Sequence, residues 1–134
     1  MREANQTITV FNAKVDAEGY DVWYPTIIEG VSWFAQTAST VTADGLRAAN
    51  HVTIRIPMTA DFGGKGYVEP VAYPSASPSG AFTLQQGDLV VNGRERESMT
   101  QAQLKTKYGQ CVTILGVTDN RHRPREPHIK IVGT

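Results

Sequence analysis

The strongest constraint on this chain is a two-residue hydrophobic period that never runs for long. Residues 51–56 (HVTIRI) alternate Val52, Ile54 and Ile56 against Thr53 and Arg55, and Pro57 stops the run. Such alternation turns one face of a strand toward a core and the other toward water. Residues 7–11 (TITVF) repeat the pattern, with Ile8 and Val10 on one face and Thr7, Thr9 and Phe11 on the other. Residues 26–34 (TIIEGVSWF) form a second expected strand, interrupted by Gly30, which predicts a bulge or a close backbone approach. Trp33 and Phe34 point to opposite faces of that strand, so only one of them can be core. Residues 81–84, 89–91, 111–117 and 128–132 read as further strands, the third of them as a buried one. About seven short strands within 134 residues predict a mainly β domain, a small antiparallel β-barrel or sandwich spanning 1–134.

The connections carry their own signals. Residues 16–19 and 85–88 read as turns, and 42–50 as a hairpin-like connection or one helical turn. Asn92-Gly93 is a short hairpin signal, because both residues tolerate positive φ. One short helix is expected over 98–108. Thr100 and Gln103 have capping-box spacing, with Ser98 as a rival cap. Leu104 and Tyr108 share a face, Lys105 and Lys107 suit the C-terminal end, and Gly109 suits the residue just past it. Residues 58–80 differ from the rest, with four Gly, three Pro and Ser75, Ser77 and Ser79. That density forbids a long regular element, apart from an edge strand over 67–73. The segment still carries Phe62, Tyr67 and Tyr73, which a plain linker rarely does. We read it as a long protruding loop, a binding arm dispensable for folding, with Phe62, Lys65, Tyr67 and Tyr73 as partner contacts. The hairpin tip, with Asp44, Leu46 and Arg47, is a second expected contact.

Residues with chemical potential do not assemble into a recognisable catalytic or metal pattern. A lone cysteine, Cys111, excludes a disulfide framework within the chain and sits in an apolar run as a small core residue. His51, His122 and His128 lack the spacing of metal ligands. Asp44, Asp61, Asp88 and Asp119 lie in turn-forming sequence, which accounts for each of them. Gly63-Gly64-Lys65-Gly66 lacks the following Ser or Thr and the helix of a phosphate-binding loop. The expectation is therefore no catalytic residue, no metal and no cofactor. No signal peptide or membrane-length apolar run is apparent, so a chain made in the cytoplasm is expected. Thirteen basic and thirteen acidic residues balance to zero on a weakly charged chain, which excludes a bulk polycation and favours association. The balance is uneven along the sequence: −2 over residues 1–67 and +2 over 68–134. Arg121, His122, Arg123 and Arg125, with His128 and Lys130, make the one basic concentration, suited to phosphate or to an acidic partner.

The ordered series TITVFNAK, IIEGVSWF, HVTIRIP, FTLQQGDLVVNG, TILGVTDNR and PHIKIVGT resembles a family of small proteins encoded by tailed phages and prophages of Firmicutes. Their genes lie between capsid and tail genes, as minor capsid or head–tail connector genes. The pattern is also similar to siphophage head-closure proteins, which are small β-barrels with long loops. The resemblance implies a neck component of the virion. Such a protein forms an oligomeric ring between portal or adaptor and tail, helps retain packaged DNA, and acts without catalysis or a membrane. On this reading the arm at 58–80 touches a neighbour or the channel, and the loop Arg121, His122, Arg123, Arg125 faces DNA or an acidic partner ring. The alternatives are a tail-terminator or other tail-associated protein, and a small β-barrel that binds nucleic acid or a host factor.

Overall fold

The computed structural model describes residues 5–15, 17–42, 45–77 and 79–134, and the backbone alone for 36–50. Eight strands and one helix follow in the order β1 (Gln6–Val15), β2 (Asp21–Thr42), β3 (Gly45–Pro57), β4 (Gly66–Tyr67), β5 (Ala81–Phe82), β6 (Leu89–Asn92), α1 (Gln101–Lys107), β7 (Cys111–Asn120) and β8 (His128–Gly133). Six strands close an antiparallel barrel in the order β1-β2-β3-β8-β7-β6. The mainly β reading therefore holds.

The barrel closes because β2 is long enough to serve two partners. Its first half pairs with β1, from Val15↔Asp21 to Gln6↔Val31, and its second half pairs with β3 from Ser32↔Arg55 onward. The change of partner falls beside Gly30. That residue drops out of the β1 register and takes φ 87°, which makes it the expected bulge. Strand β7 does the same on the other side, pairing β6 through Cys111–Thr113 and β8 from Ile114 onward. A second register shift there leaves Leu115 out of the ladder and 44% exposed. Residues 111–117 thus alternate in burial and are not buried throughout.

The β2 strand starts earlier than the sequence predicts and runs through Pro25. Proline is tolerated because Pro25 lies opposite Phe11 with its missing donor on the side away from β1. On that outer edge Lys65 Nζ donates to the Pro25 carbonyl at 2.9 Å, and Ser98 Oγ donates to that of Trp23 at 2.6 Å. Glu29 exchanges two 2.9 Å backbone bonds with Asp61. Side chains and one bridge thus cover an edge that no strand covers.

The interior takes every second residue. Ile8, Val10, Ile28, Val31, Val52, Ile54, Ile56, Val90, Val112, Ile114, Ile129 and Ile131 form one buried cluster. Trp33 packs against it while Phe34 is 54% exposed, so Trp33 is the core member of that pair. Strand β1 is buried on both faces, because Phe11, Leu89 and Val91 form a second cluster outside the barrel under Leu104 of α1. The helix has the expected capping box: Gln103 N–H donates to Thr100 Oγ1, and Thr100 N–H donates to Gln103 Oε1. Ser98 is not the cap. Tyr108 ends the helix in an extended conformation, and Gly109 is not among the positive-φ residues, so the expected left-handed C-terminal glycine is absent. Nor does Asn92-Gly93 close a tight hairpin. Gly93 N–H donates to Thr7 O, and the chain crosses over α1 before returning as β7.

The segment 58–80 is not an arm standing off the domain. Tyr67 and Gly66 pair in parallel with Phe82 and Ala81, and Phe82 and Leu84 enter the main core. The expected edge strand over 67–73 stops at Tyr67. Beyond it Ala72 N–H donates to Glu69 O, and Tyr73–Ser75 forms a 3-10 turn with Pro74 near its start. The protruding element is the β2–β3 hairpin. Strand β8 reaches only Gly133, opposite Val52, and β1 reaches only Gln6, opposite Val31. Among the described residues, 36–42 and 45–51 pair solely with each other, as a ribbon of roughly 20 Å at about 3.3 Å per residue.

Gly133 tests the closure directly. A Cβ there would lie 2.9 Å from the Thr113 carbonyl and 3.0 Å from Val112 Cγ2, both within the β7–β8 seam. Gly133→Ala is expected to cost about 1–3 kcal/mol by overpacking, read from chemical denaturation. Unchanged stability would mean that the seam is looser than described.

Candidate functional site

Three sets of residues were expected to meet partners, and the fold treats them differently. The four arm residues face inward. Phe62 and Tyr67 pack on Phe82, with ring centroids 5.3 and 5.7 Å apart. Tyr73 is 2% exposed, and burial, followed by the charge of Asp88, pushes its hydroxyl up to about 12. Lys65 Nζ donates to Pro25 O and Thr26 Oγ1, both at 2.9 Å, and burial lowers its pKa. Lys14 completes the attachment, lying 4.6 Å over the Tyr73 ring and donating to the Ala76 carbonyl. The physical reason is area. Each aromatic ring buries roughly 150–250 Å² when apolar surface is within reach, and the end of the barrel supplies it. The segment is thus not a free-standing arm: Phe62 and Tyr67 pack against the main core and Tyr73 is buried. Among its described residues the large apolar side chain turned to solvent is Val71, 85% exposed.

The hairpin contacts fall on the ribbon. Leu46 and Arg47 lie in β3 opposite Val41 and Thr40, so residues 45–50 are strand and not a helical turn. Asp44 lies outside the described residues. The last described pair is Thr42↔Gly45, which leaves two linking positions.

The basic loop divides in two. Arg121 makes a forked contact with Asp119, Nε to Oδ1 at 2.9 Å and Nη2 to Oδ2 at 2.8 Å. Its guanidinium also lies 4.8 Å over the Tyr67 ring and 3.5 Å from Glu69. The hydrogen bond from Arg121 holds the Asp119 carboxyl below its ordinary range. Arg121 therefore clamps the arm to the β7–β8 loop, leaving His122, Arg123 and Arg125 exposed. His128 is buried, with Nδ1 2.8 Å from Glu126 O.

Two further sites were not legible in sequence. Loop 93–96 and residues 61–65 flank a cleft of about 380 Å³ along the outer edge of β2. Its acids are engaged: Glu29 with Arg94, Glu95 with Lys107 at 2.9 Å, and Asp61 Oδ1 with the Gly63 N–H at 2.8 Å. At the other end of β1, Asn12 continues the inward row of Ile8 and Val10 and is fully buried. Its amide donates to Thr83 O and Asp88 Oδ2, each at 2.7 Å, and accepts from Thr83 N at 3.1 Å. Asp88, expected in an ordinary surface turn, is 3% exposed. Burial raises its carboxyl to about 6 against the donors Asn12, Gln85 and the Ala13 N–H, which favour the charged form. Cys111 is half-buried at the border of the second cluster, and desolvation raises its thiol above the usual value.

The Asp88 carboxyl gives the fold a pH dependence with a definite sign. Its folded value of about 6 lies above the ordinary 3.8, so its contribution is fully present below the ordinary value and lost as pH rises toward 6. Urea melts between pH 4 and 7 are expected to show a loss on the order of 2–3 kcal/mol from this group. Asp88→Asn is expected to remove that component. An identical pH slope in the variant would assign the effect elsewhere.

No curated protein and no solved structure matches the chain. A family model described as a family of unknown function (DUF6751) matches residues 3–134, nearly the whole length, and the chain belongs to that family.

Proposed function

We propose that the protein is a structural component of a tailed-phage virion, a neck or head-completion protein that forms an oligomeric ring between portal or adaptor and tail. The observation that carries the reading is the ribbon of 36–42 and 45–51. A closed barrel removes sheet edges, yet this chain extends two strands past its rim and leaves their outer edges without a partner among the described residues. Unpaired strand edges bind other chains by strand addition, through backbone hydrogen bonds that need no particular side chain. A ribbon on one side of a subunit, received elsewhere on the next, makes a heterologous contact, and such contacts close into rings.

The rest of the molecule supports the same use. The barrel is a rigid base, filled by aliphatic side chains and plugged at one end by Phe82 and Leu84. Net charge is zero, so neighbouring subunits do not repel. Leu46 and Arg47 lie in the ribbon, and together with Asp44 they are the contact residues in this reading. His122, Arg123 and Arg125 meet packaged DNA or an acidic ring. The arm residues Phe62, Lys65, Tyr67 and Tyr73 serve assembly by holding the barrel in shape. No helix among the described residues is long and apolar enough to cross a membrane. On this reading the protein is made in the host cytoplasm and resides in the virion.

Replacing residues 37–50 by a short Gly-Ser turn tests the ribbon. The shortened chain is expected to melt at the parent's temperature, while its oligomers, measured by light scattering alone and with portal complex, disappear. A truncated chain that still assembles would remove the ribbon from the mechanism, and the proposal with it.

A further inference from the structure

The register of sheet strands β2, β3, β8 and β7 brings together cations that lie far apart in sequence. Arg55 stands directly opposite Lys130 on the outer face of the barrel, with Ser32 on one side and Thr118 on the other. The inward neighbours Ile54, Ile56, Ile129 and Ile131 are buried, which fixes both cations on the outer surface. Like charges opposed across a ladder destabilise a sheet. Among the described residues neither Arg55 nor Lys130 has an ion pair or a side-chain hydrogen bond to offset this. The loop joining β7 to β8 adds Arg123 and Arg125, both exposed. Asp119 is occupied by Arg121. Arg55, Lys130, Arg123 and Arg125 against Glu126 then leave a formal +3 on one face and its adjoining loop. The next row across the strands is Phe34, Thr53, Val132 and Gly116, of which Phe34 is 54% exposed.

We infer that this outer face binds the phosphate backbone of duplex DNA. A pair of cations held together without an acid is a standing cost in the free protein, and an anionic polymer relieves it by counterion release. The face has a single exposed aromatic, too few to stack successive bases, so the contact is with a duplex backbone and carries no sequence preference. The inference extends the neck reading by naming which surface meets DNA: the open sheet face with Arg55 and Lys130, continuous with the loop at Arg123 and Arg125.

Anisotropy of a short fluorescent duplex, titrated with the purified full chain over a range of salt concentrations, tests it. The parent is expected to bind with a steep salt dependence. Arg55→Ser combined with Lys130→Ser is expected to weaken binding about tenfold and to lower the slope of log K against log salt by roughly two. The same variant is expected to melt at or above the parent's temperature, because the repulsion is gone. Affinity and slope unchanged in the variant would overturn the proposal. So would polyglutamate competing as well as DNA, which would make the partner an acidic protein surface. Ring assembly by the variant is scored separately: failure to bind DNA with assembly intact removes this face alone, whereas assembly retained in the ribbon truncation removes the neck reading.

Discussion

Strand β2 divides its backbone hydrogen bonds between β1 and β3, and the rest of the molecule depends on that division. With a single partner it would leave an open sheet with two long edges. Because it changes partners beside Gly30, and β7 changes partners near Leu115, six strands close on themselves. Closure gives the aliphatic rows a common interior. It also leaves the far end of β2, with the start of β3, without a third strand to pair. The protruding ribbon is a consequence of the same length that closes the barrel.

Polar groups fasten what the aliphatic core cannot reach. Where the inward row of β1 runs past the apolar interior, Asn12 pairs through its side-chain amide with the backbone of Thr83 in place of a strand. The same amide meets Asp88, a carboxylate kept inside at the cost of a raised pKa. Arg121 does comparable work at the surface, joining the β7–β8 loop to Glu69 and Tyr67 of the arm. Three segments rich in turn-forming residues are held by a few directional contacts. This is why a stretch full of Gly, Pro and Ser can belong to the ordered body of the domain.

The cations illustrate how function and fold separate in such a small barrel. Arg121, at the start of the basic loop, is drawn onto Asp119 and an aromatic ring, while Arg55, lying in an ordinary alternating strand, is a half-buried charge set beside Lys130 with no ion pair among the described residues. An exposed sheet face and a two-stranded ribbon offer different kinds of contact, one electrostatic and one through backbone hydrogen bonds. In the proposed ring around DNA both would be used.

Much of the local structure was legible in sequence, because it depends on neighbours along the chain. The alternation at 51–56, the capping box of Thr100 and Gln103, the bulge at Gly30 and the division of Trp33 from Phe34 all follow from local periodicity and backbone sterics. The sites were less legible. Phe62, Tyr67 and Tyr73 read as protruding because nothing in their own segment could bury them; their partners, Phe82 and the outer end of β1, arrive from elsewhere in the chain. Asp88 reads as a turn residue because its burial depends on Asn12, 76 positions away. Leu46 and Arg47 could be assigned to a hairpin but not to a long ribbon, since its length depends on where β8 and β1 stop. The sequence by itself determined that this is a small β protein of short alternating strands with one capped helix. Only the tertiary structure decided which strand pairs twice, which loop packs inward and which cations stand together on the outer face, because each of these depends on register between distant segments, and register is fixed by closure of the barrel.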